Sequence, residues 1–579
     1  MKRKIGLVLL LIFLFSGFAS FPGEAGDRPK LRKAPLNPDF IKYMLDKKDP
    51  EINSGSSAYR AGRLPSPVDL SHVKGTKLLN KTAAFPAVFD LRNQDKLTPV
   101  QDQGDCGACW AFGTYASLES SLLPGQETDF SELDMIHNHG FDYNPCDGGN
   151  EFMSAAYLVR WGGPVSEGDM PYSYSGFTSG NEGLVCKHVQ RVVFLPEREN
   201  FLDNDRIKYF VTTYGAVAVL MYIDGYSEYY NRATAAYYCN KNEGVNHMVA
   251  VVGWDDDFPA EKFTVSPPGN GAFIIKNSWG TGFGEDGYFY MSYYDKTLAG
   301  PVSYNNAEPY TNYGTNYQYD PLGWISSLGY ESRTAWGGNI FQAVNNQPLQ
   351  AVGFFTCDSG VNYQAFVYSG ISGNTPRGGD LKATQSGTFP YPGFYTVKLD
   401  TPVPLNKGES FSVVIKLENS NQMYPVAIEY PVNGYSSNAN ANAGESFISH
   451  DGNDWEDVVI QNENTNVCIK AYAGYSPAAL RVQARRETVY GWLVSRDIGL
   501  ITINIENINE ISISKVVIYR RMSPLSPYSS CKEISPGELQ NGSYIYTDLE
   551  LEGEGTVYYK VAVLNDSGNV CGRSEEKTI

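Results

Sequence analysis

Basic charge, histidine and long apolar runs are what this chain of 579 residues is short of. Lysine and arginine number 46 against 64 aspartates and glutamates, a formal net charge of −18. That excludes nucleic acid as a partner, because neutralising phosphates needs clustered Lys and Arg. Histidines number only six. His137 and His139 lie two apart, which on a helix turns them to different faces, and His72, His188 and His450 add no ligand spacing, so no metal is assigned. The one long apolar run, Ile5 to Phe18, is shorter than the about 20 residues that cross a bilayer. It follows Met1-Lys2-Arg3-Lys4 and leads into Gly17-Phe18-Ala19, so residues 1–19 read as a secretory signal peptide. No second membrane segment and no apolar tail is found. A secreted, extracellular protein without a membrane span in its mature form is expected, held at any cell surface by binding alone.

What is present is ordinary for globular protein in bulk and unusual in texture. Hydrophobic residues make up 42% and charged residues 19%, while 57 glycines and 41 tyrosines lean towards turn-rich β structure. The length implies several domains. Residues 20–84 are rich in Lys, Pro, Ser and Gly with one short helical candidate, Asp39 to Leu45, and read as a pro-segment. Residues 85–305 begin helical: Ser131-Glu132-Leu133-Asp134 has a capping pattern, and Phe152 to Trp161 is stopped by Gly162-Gly163-Pro164. Strand patterns follow at Ala216–Ile223, Met248–Trp254, Ala272–Asn277 and Tyr288–Tyr293. From about Tyr313 the texture shifts to short alternating runs, a β-sandwich pattern over 313–475, and a second β unit fills 478–579. The accessory region is expected to be separable from the chemistry.

The chemistry concentrates in Gln103-Gly104-Asp105-Cys106-Gly107-Ala108-Cys109-Trp110-Ala111-Phe112. The glycines allow a tight turn, and the run from Cys109 to Leu123 is a helix ended by Pro124-Gly125. A thiol at a helix N-terminus sits near the positive end of the dipole, which favours thiolate. Gln103 can place an amide donor beside a reacting carbonyl.

This stretch resembles the papain family of cysteine proteases, whose Cys-Gly-[Ser/Ala]-Cys-Trp signature it matches. The family's histidine and asparagine are expected about 130–150 residues downstream. Val245-Asn246-His247-Met248 supplies His247, and Lys276-Asn277-Ser278-Trp279-Gly280 supplies Asn277, a little beyond that range. The resemblance implies an α+β papain-like fold of a helical and a β-rich lobe, here followed by two all-β sandwiches. It also implies that Cys109 is the nucleophile, His247 its acid–base partner, Asn277 the orienting group, Gln103 an oxyanion donor and Trp279 a shield for the His–Asn contact. Gly149 would hydrogen-bond an extended substrate, and Asn150, Glu151 and Met248 would shape a specificity pocket. Glu151 either favours a basic substrate side chain or is solvated, the second being preferred. The sandwich after residue 313 looks like the lectin-like domain of some bacterial and archaeal members, including the clostridial S-layer-processing type, and the last unit resembles fibronectin type III.

Nine cysteines leave eight besides the nucleophile. In sequence order they pair as Cys106 with Cys146, Cys186 with Cys239, Cys357 with Cys468, and Cys531 with Cys571, each pair inside one expected domain. Export permits four disulfides. The resemblance supports only the first, through Cys146-Asp147-Gly148-Gly149.

No cofactor is required by this chemistry. The acidic run Asp451 to Asp457 invites calcium in the lectin-like domain but lacks the EF-hand pattern, and a hairpin turn is the preferred reading. Trp324, Trp336 and Trp455 would be a sugar-stacking face or, preferably, sandwich core. The expectation is a secreted endopeptidase made as a zymogen, acting on proteins or peptides, with accessory domains that reach envelope glycans or surface proteins. Two other classes remain: an inactive surface adhesin, and a transglutaminase-like or cell-wall amidase enzyme. The intact catalytic set argues against the first, and the Asn277-Ser278-Trp279-Gly280 element against the second.

Overall fold

The computed structural model describes residues 29–47, 61–76, 84–126, 128–172, 184–224, 228–474, 478–490, 495–508, 511–551, 555–566 and 568–579. The expected signal peptide and the end of the expected strand at 488–493 lie outside these residues.

Four helices build the side of the cleft that carries the thiol. α1 (Pro38–Asp46) belongs to the N-terminal segment. It starts where the Asn37 side chain accepts from the Asp39 amide, and it buries Phe40. α2 (Cys109–Leu122) is buried from Cys109 through Tyr115, so its sequence shows an apolar run and no one-sided stripe. α3 (Glu132–Asn138) opens at Ser131, whose hydroxyl accepts from the Asp134 amide. α4 (Glu151–Val159) opens at Asn150, whose side-chain oxygen accepts from Phe152 and Met153.

The other lobe is a sheet in which Val217–Met221, His247–Asp255, Ala272–Lys276 and Tyr288–Ser292 lie side by side. α5 (Asp205–Tyr214) adds Ile207, Phe210 and Val211 to its core. Ala250 pairs antiparallel with Lys276. The first residue of one strand, His247, therefore comes beside the residue that follows the other, Asn277.

The lectin-like region is not appended to this unit but woven into it. Its strand Gly393–Val403 pairs with Lys187–Phe194 of the first unit, Phe394 opposite Val192. One hydrogen-bonded sheet thus runs through both. Phe152 stacks on Phe194 at 4.3 Å, and Trp324 meets both rings edge-on. A second sheet of this region includes Thr334–Gln342, Val361–Ser369 and Ser410–Glu418. The acidic run is the turn of a hairpin between Ser446–Ser449 and Trp455–Asp457, where Asp451 accepts from the amides of Asn453 and Asp454. Trp324 is core. Trp336 is half-buried, with the Arg377 guanidinium 5.6 Å from its ring.

The C-terminal unit has its own core, including Ile501, Ile503, Val516, Tyr559 and Val561. It meets the first unit at Asp169, whose carboxylate is paired with Lys560 and with Arg573, the latter at 2.8 Å.

Of the four expected disulfides, Cys106–Cys146 is formed, with Cα atoms 4.7 Å apart. The other three are corrected by the fold. The carbonyl of Cys186 accepts from Tyr310 and that of Cys239 from Lys296, just beyond opposite ends of the strand Ala299–Pro309. Such a strand is roughly 36 Å long, against the at most about 7 Å that a bridge tolerates between Cα atoms. Cys531 and Cys571 lie on strands separated by two others, three steps or about 14 Å. Cys357 and Cys468 are nearer to each other, but their thiols face different groups: Cys357 Sγ takes the Ser327 hydroxyl at 3.3 Å, and Cys468 turns to the buried Asp320 carboxylate.

Candidate active site

Cys109 is the first residue of α2 and is completely buried, as is His247. His247 Nε2 lies 2.9 Å from Asn277 Oδ1, which also accepts the Ser278 amide. Nδ1, the nitrogen left for the thiol, makes no hydrogen bond to any of the described residues. The Trp279 ring lies 4.9 Å from the imidazole and closes the far side of the His247–Asn277 contact. Gln103 is pinned at both ends: its side-chain oxygen accepts from the Ser278 hydroxyl at 2.6 Å, and its nitrogen donates to the Cys106 carbonyl at 2.8 Å. Its main-chain carbonyl accepts from Tyr172 Oη at 3.0 Å. The Cys106–Cys146 disulfide ties the turn before α2 to the Gly148-Gly149 segment opposite.

Part of the N-terminal segment fills the cleft. The Gly62 amide donates to Cys109 Sγ at 3.3 Å. Gly149 donates to the Gly62 carbonyl, Leu64 donates to the Gly149 carbonyl, and Arg63 donates to the Asn246 carbonyl. The sulfur thus meets an N–H where a substrate would present a carbonyl carbon. Gly62 fits because it has no side chain: a Cβ there would stand 2.0 Å from the Gly107 oxygen. Sealed in this way, the thiol is pushed up to about 11 by burial, against the opposing pull of the Met248 and Gly62 amides. Burial brings the imidazole down to about 4. With the cleft occupied both groups prefer their neutral forms, so the thiolate that the helix N-terminus would favour is not the preferred form in this closed state.

The other expected pocket residues divide. Gly149 lies against the Trp110 ring and offers both backbone groups to the cleft. Glu151 is buried, not solvated: Oε1 takes Arg63 Nη2 at 3.1 Å, with side-chain exposures of 7% and 10%. Asn150 stands at the edge of the cleft: its oxygen caps α4, and its nitrogen donates to Tyr435 Oη of the lectin-like region at 3.1 Å and to the Pro65 carbonyl of the N-terminal segment at 3.4 Å. Met248 is not in the Glu151 pocket. It lines a separate hollow of about 20 Å³ with Gly113 and Asn277, in space that the missing side chain of Gly113 leaves. Sequence reading missed Gly62 and Arg63, Ser278 and Tyr435. Ser278 stood inside a quoted motif, Gly62 was one glycine among many in a Pro- and Ser-rich stretch, and Tyr435 carries no local signal. Among the described residues no group of three or more His, Cys, Asp or Glu is placed to hold a metal ion.

Comparisons with known proteins agree with this geometry. Residues 85–305 match the papain family of cysteine proteases and residues 316–473 a lectin-like domain. A viral cathepsin of Cydia pomonella granulosis virus is 30% identical over 212 residues, which are 36% of this chain and 57% of that protein. Cysteine proteinase 15A of Pisum sativum is 32% identical over 222 residues, 36% of this chain and 58% of that one. The chain therefore spans just over half the length of these curated relatives. Among solved structures, the cysteine protease and lectin-like domains of Cwp84, a surface layer associated protein of Clostridium difficile, align over 77% of this chain and 98% of that one, with a TM-score of 0.66 and 26% identity. A clostridial Cwp84 variant after propeptide cleavage aligns over 67% of this chain and 99% of that one, with a TM-score of 0.61 and 27% identity. The chain thus carries a papain-family cysteine protease domain at residues 85–305, followed by a lectin-like domain at residues 316–473.

Proposed function

We propose that this protein is a secreted cysteine endopeptidase made as a zymogen. The observation that carries the reading is the strand at residues 62–64, which runs through the cleft on Gly149 and puts an amide on Cys109 Sγ. The cleft thereby accepts an extended peptide backbone at the thiol and holds its own occupant in a register that cannot be cleaved.

When a substrate replaces this strand, Cys109 attacks the peptide carbonyl carbon as a thiolate, its proton having passed to His247 Nδ1. The carbonyl oxygen becomes an oxyanion. The Cys109 backbone N–H and the side-chain amide of Gln103 stabilise it, the latter held in place by Ser278. The imidazolium, oriented through Nε2 by Asn277, gives its proton to the departing amine, leaving a thioester. Water then attacks the thioester as His247 takes its proton. The thiolate leaves, and a carboxylic acid is released. No helix among the described residues is long and apolar enough to cross a membrane. The lectin-like domain supports placement at a cell surface through glycans or surface proteins.

The test is Cys109→Ala in the full chain. Hydrolysis of a peptide library should fall to background, and labelling by a thiol-directed epoxide should disappear. Library cleavage near the wild-type rate would overturn the assignment of Cys109, and absence of cleavage and labelling in the wild type would favour the inactive-adhesin reading.

A further inference from the structure

The lectin-like domain encloses three ionisable side chains, Asp320, Glu429 and Lys470, each fully buried. They come from distant parts of the chain. Asp320 follows the strand Thr315–Tyr317, Glu429 ends the strand Val426–Glu429, and Lys470 stands in the strand Ile469–Ala473. The strands beside Asp320 and Lys470 are paired, Tyr317 opposite Ala471. Lys470 Nζ meets Asp320 Oδ2 at 3.1 Å and donates to Gln318 Oε1 at 2.6 Å.

An ion pair alone accounts poorly for this arrangement. Taking an ammonium and a carboxylate out of water costs more than their attraction returns unless the remaining polar atoms are satisfied. Here two oxygens are left over: Asp320 Oδ1 and Glu429 Oε2 are buried with no hydrogen-bond partner. Glu429 Oε1 accepts from the Leu322 amide at 3.1 Å. Burial, with the Asp320 charge nearby, raises Glu429 to about 8, so it keeps its proton at neutral pH. Burial also pushes Asp320 up, against the pull of Lys470. Passing one proton from the ammonium to the Asp320 carboxylate removes both buried charges. It leaves an amine against a carboxylic acid, with the carboxyl carbon one bond beyond Oδ2 and the two held in place by paired strands.

We propose that Lys470 Nζ and Asp320 Cγ form an intramolecular amide bond, with Glu429 as its acid–base group. Nζ attacks Cγ while Glu429 gives its proton to Oδ1, and Glu429 then takes a proton from the nitrogen. The Oδ2 hydroxyl leaves with a proton from Glu429, as water, and the Oδ1 hydroxyl returns its proton to Glu429. A C–N bond replaces a C–O bond, one water is released, and Glu429 ends as it began. No oxidant or further reactant takes part. In the product the amide oxygen Oδ1 accepts from Glu429 Oε2–H, which gives each leftover oxygen a partner. The bond clamps one end of the lectin-like domain, residues 316–473, to the other, across a separation of 150 residues. It stands independently of the protease reading.

The test is a tryptic map of reduced, full-length protein by mass spectrometry. The peptide carrying Asp320 should be joined to the one carrying Lys470, lighter than the two together by one water, and cleavage after Lys470 should be lost. Separate peptides, with cleavage after Lys470, would overturn the proposal, and this wild-type map needs no variant to fold. Lys470→Arg keeps the charge pair but cannot form the amide. It should migrate more slowly than the wild type in a denaturing gel, because the unfolded wild-type chain keeps a closed loop. Equal mobility would count against that loop. Glu429→Gln keeps both reacting residues and should lose the linked peptide. An unchanged linked fraction in that variant would overturn the role given to Glu429.

Discussion

At the scale of single residues, the closure of the cleft rests on how close two backbones come. The Cβ that Gly62 lacks would stand 2.0 Å from the Gly107 oxygen, inside the disulfide-tied turn that precedes Cys109. Neither backbone has room to give, so Gly62→Ala should lift the strand away from the thiol without touching the catalytic groups. The closed state holds the thiol near 11, above its ordinary value, so the neutral form dominates below that pH. Alkylation of Cys109 by iodoacetamide in the intact chain should therefore be slow at neutral pH, because the sulfur is sealed from solvent and neutral, and should rise as the pH rises. In Gly62→Ala the thiol meets water and His247 Nδ1. Alkylation at pH 7 should be at least about tenfold faster than in the parent, with a flatter pH profile. Equal rates and parallel profiles would show that Gly62 does not hold the cleft shut.

At the scale of elements, α4 shows how a cap joins two domains. Asn150 satisfies two amides at the helix start and also bonds Tyr435, a buried ring set among Phe40, Phe141 and Tyr143. Asn150→Ala removes the cap, worth about 1 kcal/mol. It also strands a buried hydroxyl, a further penalty of about 1–3 kcal/mol. Tyr435→Phe removes only the second partner. The urea midpoint should fall in both, more in Asn150→Ala, and the double variant should lose less than the sum because both changes break one contact. Strict additivity would show that the two residues act independently. Helices and strands near the cleft were legible because their signals are local. Ser131 before Glu132 announces a start, Gly162-Gly163-Pro164 a stop, and the strand patterns at 216–223, 272–277 and 288–293 fall on observed strands with their ends displaced by one or two residues. Gln103, Cys109, His247 and Asn277 were legible as residues of one cleft because motif order marks them. Three of the four cysteine pairings were not, because counting within a domain says nothing of which strands lie between two thiols. The bond of Asn150 to Tyr435 was not legible because that partner stands 285 positions away.

At the scale of the whole molecule, the change of composition near Tyr313 marks a change of fold type and not a mechanical break. The strand Lys187–Phe194 hydrogen-bonds Ala299–Pro309 on one side and Gly393–Val403 on the other. Cutting the chain near residue 310 would leave the Gly393–Val403 side of that strand unpaired, an invitation to aggregate. It would also uncover Phe152 and Phe194, which the Trp324 ring meets edge-on within about 6 Å. Both effects fall next to the cleft, since Phe152 follows Glu151 in α4. The C-terminal unit differs: its core is its own, and its principal ion pairs with the protease domain converge on Asp169. Two truncations separate these cases. A chain ending near residue 475 should stay soluble and, after removal of the N-terminal segment, cleave small peptides within a few-fold of the full-length enzyme. A chain ending near residue 310 should aggregate or lose most of its activity, as judged by size-exclusion chromatography and titration of the active-site thiol. A soluble, fully active chain ending near 310 would show that the shared sheet and the Trp324 contact are dispensable, and that the lectin-like domain only rests against the protease.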